Sequence, residues 1–419
     1  MKNRIISLLI FLLFAGALLN AQESDSTKIA RLEKRIKKLE EKFKQNELEK
    51  ILKEAETVST EKVKEKKTKV FKSGQRSLQA INPEISVIGD MYGQYISNGI
   101  NKNNFYNDKR SGMFFRTLSL HFQGGLDPFS YTKATLEFSP DNVEFAEAYF
   151  VLNKFIPHVS FTAGKFRQQF GVLNRWHVHS LDQQDYPLAL TTILGEDGLN
   201  QIGFSFDWTM PAFTSDANEL TLQFTNSRNS HLFSGETFSF PSVLMHFKNY
   251  WDLSKNTYLE FGITGMVGKN NRNGFDNTGN LFFEHSRSTV LAGADLTLFW
   301  QPVDQALYKS FLWRSEFYYG DKELAGGRIK AAGGYTNFEY RLAERWLGGI
   351  RFDYTQPFEE NNSSKDLYQI VPYITWEQSH WVRFRFQYNY LNGTQMPSAV
   401  HMFRFQIVWA VGPHKHDRY

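Results

Sequence analysis

The sequence predicts an all-β transmembrane barrel of about sixteen antiparallel strands, preceded by a short N-terminal helical coiled-coil segment. Three observations carry this expectation. From about Ile85 onward apolar and polar residues alternate with period 2, in sixteen runs of about nine to sixteen residues, long enough to cross a bilayer when tilted. The chain is rich in aromatics (16%, with 38 Phe and 19 Tyr), yet its mean hydropathy is -0.44. That combination rules out a bundle of apolar helices and suits a surface that meets lipid on alternate residues only. Finally, the connections alternate between short turns and longer polar loops, as in barrels with short periplasmic turns and long outer loops.

Residues 1–21 read as a secretory signal: Lys2 and Arg4, then the apolar run Ile5 to Leu19, then Asn20-Ala21-Gln22. The run is too short for a spanning helix and correctly placed for removal. Export leads to an oxidising compartment, but the chain has no cysteine, so it is neither a disulfide scaffold nor anchored through an N-terminal Cys. Residues 22–58 form the helical segment. Ile29, Leu32, Ile36, Leu39 and Phe43 make a narrow apolar stripe on a charged helix, which either meets copies of itself as a coiled coil or stays solvated. Residues 59–84 are a basic linker. Residues 22 to 80 hold 17 Lys+Arg against 11 Asp+Glu, a net +6.

Residues 85–410 form the barrel and 411–419 a C-terminal tail. Alternation is clearest near the end, where Val382, Phe384, Phe386, Tyr388 and Tyr390 oppose Arg383, Arg385, Gln387 and Asn389, and Phe403, Phe405, Ile407 and Trp409 oppose Arg404 and Gln406. An Arg facing lipid at mid-depth costs about 2–4 kcal/mol, so the polar face is the inner one. Two features resist the simple pattern. Pro372 falls inside a strand and predicts a bulge or register shift, and the connection Pro140 to Asn142 is short on the outer side.

By parity the lumen receives Lys133, Arg314, Arg341, Arg351, Arg383, Arg385 and Arg404, together with Glu137, Asp207, Glu260, Asp295, Glu316, Glu339 and Asp353. The signs balance, but Arg351, Arg383, Arg385 and Arg404 sit on the last four strands and the acids Glu260, Asp295, Glu316 and Glu339 on the middle ones. Such an arrangement predicts a transverse field that orients polar solutes. One connection is far too long for a simple turn. Residues 167–197 follow the fifth strand and are expected to fold inward as a constriction loop, with Asp182, Asp185, Glu196 and Asp197 against Arg167 and Arg175.

The run Ala163-Gly164-Lys165-Phe166-Arg167-Gln168-Gln169-Phe170-Gly171 and the return strand Gly198 to Trp208 resemble the phosphate-selective porins of the O and P type, in a Bacteroidetes-like branch. The resemblance covers nearly the whole mature chain. It implies an outer-membrane homotrimer with one pore per subunit, a constriction loop after the fifth strand, contact with outer-membrane lipid, and passage of small hydrophilic solutes with anion or phosphate preference. Residues 81 to 419 nevertheless carry 29 Lys+Arg and 33 Asp+Glu, a net -4, which is not the charge of a strongly anion-selective pore.

Other classes are weaker. His177 and His179 beside Asp182 lack a firm third metal ligand, so neither a metal nor a cofactor is expected. No motif brings a nucleophile and a base together, so no enzyme is expected, and nothing points to nucleic acid. The alternative is a non-transport outer-membrane or secreted β-protein, an adhesin or structural element.

Overall fold

A computed structural model of the chain describes residues 84–97, 111–213, 215–233, 241–270, 273–275, 281–283, 285–359, 365–394 and 396–412. The signal sequence, the coiled-coil segment, all of the linker except Glu84, and the tail beyond residue 412 lie outside the described residues.

Eighteen strands are described. The first nine are β1 (Glu84–Ile96), β2 (Gly112–Asp127), β3 (Ser130–Phe138), β4 (Val143–Ile156), β5 (Val159–Arg167), β6 (Asn200–Met210), β7 (Ala217–Thr225), β8 (Ser242–Ser254) and β9 (Thr257–Lys269). A small separate hairpin follows, β10 (Asn273–Phe275) and β11 (Leu281–Phe283). The rest are β12 (Ser288–Trp300), β13 (Phe311–Leu324), β14 (Gly327–Ala343), β15 (Trp346–Gln356), β16 (Leu367–Glu377), β17 (Val382–Gly393) and β18 (Val400–Val411). Apart from the hairpin, each strand pairs antiparallel with the next in sequence, and β1 closes on β18 with Met91 opposite Ile407. The result is a closed barrel of sixteen strands, which has no free sheet edge to be capped.

Alternation sets the two faces. In β17 and β18, Phe386 and Phe403 are exposed outward, whereas Arg385 and Gln406 are buried inside. Outward aromatics pair across strands, as Phe386 does with Phe405 at 4.8 Å between ring centroids, adding lateral packing on the outer face.

The bulge expected at Pro372 does not form. β15 and β16 hold one register from Trp346 opposite Trp376 to Thr355 opposite Leu367, with Ile350 facing Pro372. Pairing with β17 skips Val371 and Pro372 and then resumes in the same register. Proline has no N–H to give, so its effect is one interrupted stretch of ladder, with the ring pointing outward.

Candidate functional site

Between β5 and β6 the chain leaves the wall and turns into the barrel, through single 3-10 turns at Leu173–Arg175 and Val178–Ser180 and a short helix, α1 (Leu188–Leu194). Phe170, Leu173, Trp176, Leu181, Leu190, Ile193 and Leu194 are almost wholly buried in one apolar cluster with Leu244, Met266, Leu291, Tyr318, Ala331 and Tyr335 of the middle strands. Each such side chain contributes about 1.5–3 kcal/mol when fully buried. An apolar patch on the inner wall is therefore what draws in a segment that has no regular period. Two glycines allow the tight bends: Gly171 (φ +65°) and Gly198 (φ +66°) adopt left-handed conformations, and a Cβ there would collide with Glu316 and Asn174 respectively.

Polar ties fix the loop where it lies. Asn174 clasps its base, donating to the carbonyls of Gln168 (2.8 Å) and Leu199 (3.0 Å) and accepting the Leu199 N–H (2.8 Å). The Glu316 carboxylate accepts four hydrogen bonds: from the N–H groups of Val172 (3.1 Å) and Leu173 (3.0 Å), and from the hydroxyls of Tyr318 (2.8 Å) and Tyr335 (2.7 Å). Arg314 pairs with Asp182 at 2.8 Å and lies over the Trp176 ring at 4.5 Å. Arg351 donates to the Asp185 carbonyl (2.8 Å) and to Gln183 Oε1 (3.1 Å), while holding Asp353 at 2.9 Å. Arg385 donates to the Leu181 carbonyl (2.8 Å) and Gln406 Oε1 (2.7 Å). Arg383 donates to the His179 carbonyl, Arg404 pairs with Asp185, and Arg116 donates to the Gln184 carbonyl at 2.8 Å. Burial alone would push the Asp185 carboxyl up, but Arg404, Arg116 and Arg351 together hold it below its ordinary value.

On the opposite side His177 bridges two wall carboxylates, Glu137 at 3.0 Å through Nδ1 and Glu147 at 2.8 Å through Nε2. Burial opposes the imidazolium, yet the two hydrogen-bonded carboxylates outweigh it and the pKa is raised. Among the described residues no group of three or more His, Cys, Asp or Glu is arranged to hold a metal ion.

The residues singled out by parity separate into distinct environments. Arg351, Arg385, Arg404, Asp295 and Glu316 point inward but are at most 5% exposed. The loop or neighbouring side chains cover all five. The arginines of the last four strands, expected as a basic wall, each contact the loop. Glu339 accepts the Tyr373 hydroxyl at 2.9 Å, Asp207 the Thr221 hydroxyl at 2.7 Å, and Arg341 pairs with Glu377 at 2.9 Å. Of the loop charges, Arg167 donates to the Asp197 carbonyl at 3.0 Å and Arg175 is exposed. Glu196 and Asp197 are also exposed, but they lie in a separate recess of about 730 Å³ shared with Lys165, Arg228 and the outward-facing Phe145 and Ile202. They belong to the rim rather than to the charged belt inside.

Lys133, Glu260 and Arg175 face a second space, a cavity of about 610 Å³ inside the barrel. Its other lining residues include Tyr131, Tyr149, Glu219, Lys248, Tyr250, Tyr258 and Arg314. Most of these sit near the short-turn ends of their strands, which in outer-membrane barrels are the periplasmic ends. Lys248 pairs with Glu260 at 2.6 Å and Lys133 with Glu147 at 4.0 Å. Sequence reasoning missed the four tyrosines, Glu219 and Lys248, although the parity that places Glu260 inward applies equally to them.

No family model matches the chain. An uncharacterised protein of Aquifex aeolicus is 26% identical over 350 residues, spanning 76% of this chain and 72% of that protein. Among solved structures, the anion-selective porin from Comamonas acidovorans superposes with a TM-score of 0.54 at 10% identity, covering 79% of this chain and 100% of its own. The outer-membrane channel DcaP of Acinetobacter baumannii gives 0.54 at 9% identity, covering 81% and 99%. The trimer form of OmpT, an outer-membrane protein of Vibrio cholerae, gives 0.52 at 12% identity, covering 79% and 100%. At such identities the likeness carries the fold: this chain is a β-barrel of the outer-membrane type. No helix among the described residues is long and apolar enough to cross a membrane.

Proposed function

We propose that this chain is an outer-membrane porin, a passive path for small hydrophilic solutes whose bore is set by residues 168–199. The observation that carries this reading is a segment of more than thirty residues folded inside a closed barrel, tied to opposite walls by charged side chains, beside a water-accessible, charge-lined cavity. Conserving a lumen while narrowing it is what a diffusion channel requires; an adhesin or structural barrel has no need of an internal belt of this kind. Homotrimeric assembly is part of the proposal, supported by the family resemblance.

For selectivity we propose a mild anion preference rather than a phosphate trap. Most of the inner arginines are taken up by the loop, and Arg175 is left as an exposed guanidinium in the cavity. Single-channel recording in planar bilayers under a salt gradient tests both levels. Discrete conductance steps with a small anion-selective reversal potential are expected. Strong cation selectivity would sink the anion preference and leave the porin reading standing; absence of any conductance steps would overturn the porin reading itself.

A further inference from the structure

Building on the porin reading, we infer that the cavity of about 610 Å³ is a binding subsite for small zwitterionic solutes, its Arg175 taking a carboxylate and its Glu219 an ammonium group. An α-amino acid or a dipeptide has this chemistry. The volume lies in the range of roughly 300–1,000 Å³ typical of small-molecule sites.

Most of the charges in the cavity are already matched. Lys248 is neutralised by Glu260 at 2.6 Å, Lys133 by Glu147 at 4.0 Å, and Arg314 by Asp182 at 2.8 Å. Arg175 and Glu219 differ. The Arg175 guanidinium donates to the neutral Oε1 of Gln169 at 2.9 Å, and Glu219 accepts the Tyr250 hydroxyl at 3.4 Å. Neither belongs to an ion pair among the described residues, although each lies within electrostatic range of the other. Asp252, the remaining acid of the lining, is exposed at the turn end, where water solvates it.

Two opposite charges that share one cavity without touching leave a gap with a direction. A lone anion meets Arg175 but is repelled by Glu219, and a lone cation meets the reverse. A solute carrying both groups satisfies both at once. Tyr149 and Tyr250 line the same space, and their rings offer apolar faces to the carbon skeleton while their hydroxyls stay polar.

The test uses the full chain reconstituted in planar bilayers. Current block by L-leucine is compared with block by leucinamide, its cationic analogue, and N-acetyl-leucine, its anionic analogue. The zwitterion is expected to half-block at a concentration at least tenfold below either analogue. Glu219→Gln and Arg175→Gln are each expected to raise that concentration about tenfold, with E219Q narrowing the gap to the anion and R175Q the gap to the cation. Equal block by all three solutes, or variants that leave the leucine block unchanged, overturns the subsite. Ligand-observed NMR of L-leucine with the detergent-solubilised barrel supplies a readout that needs no conduction. Binding without conductance steps supports the subsite and overturns the porin reading; steps without binding do the opposite. Heat-modifiable gel migration of both variants checks that the barrel still forms.

Discussion

Arg385 and Arg175 both lie inside the same barrel, and the contrast between them organises the molecule. Arg385 is buried on β17 and its guanidinium ends on the Leu181 carbonyl and Gln406. Arg175 is carried by the loop itself, is exposed, and ends on a neutral glutamine. The first belongs to a wall, β13 to β18, whose charges hold the loop; the second opens onto the cavity lined by β7 to β9. Inward orientation is thus a necessary condition for lining a pore and not a sufficient one. What decides the role is whether the loop has already claimed the charge.

The strongest way to break this contrast is to remove the carboxylate that the loop depends on most. Glu316→Leu leaves the Val172 and Leu173 N–H groups and two tyrosine hydroxyls without their acceptor. Each buried donor left without an acceptor costs about 1–3 kcal/mol, and four of them together are enough to release the segment from Phe170 to Arg175. Single-channel conductance is expected to rise severalfold and trypsin to cut at Arg175, with the barrel still heat-modifiable. An unchanged conductance would mean that the loop does not set the bore.

A smaller effect is expected from pH, acting on the opposite tie. His177 is held between Glu137 and Glu147, and its pKa in the docked loop is raised above the ordinary value. The sign follows from linkage: the stabilisation is fully present below the ordinary histidine pKa of about 6.5 and is lost as pH rises through the higher docked value. Loop docking should therefore loosen on the alkaline side, seen as increased open-channel noise. His177→Gln should remove that pH dependence. Noise that grows on acidification instead would show that the bridge works in the opposite sense.

Which of these features were legible in the sequence follows from their physical origin. Strand direction, closure and the inward or outward sense of residues such as Arg383 and Phe386 depend on a period of two, which survives in the sequence whatever the tertiary detail. The oversized connection after β5 was legible for the same reason, as the place where the period stops. The docking of that connection was not. Its partners are long-range pairs such as Glu316 with Val172 and Arg351 with Gln183, which no local pattern encodes. One signal of it does lie in the sequence: Leu244, Met266 and Leu291 are apolar residues at positions whose parity points inward. Apolar side chains on the water-facing side of a pore are a reason to look for something covering them.

The smallest effect should come from a charge that lies on neither side of the contrast. Arg328 pairs with Asp321 at 2.7 Å near the β13–β14 turn, and its side chain is 46% exposed. Exposed pairs of this kind contribute about 0–1 kcal/mol, because water and salt screen them and long side chains lose freedom in holding them. The ion pairs of Arg328, with Asp321 and Glu323, stay within the β13–β14 hairpin. Arg328→Ala should leave conductance, reversal potential and heat-modifiable migration within error of the parent. If this variant altered conductance as much as Glu316→Leu, channel behaviour would track overall charge rather than the ties that hold the loop, and the division between loop-holding and solute-facing residues would lose its basis.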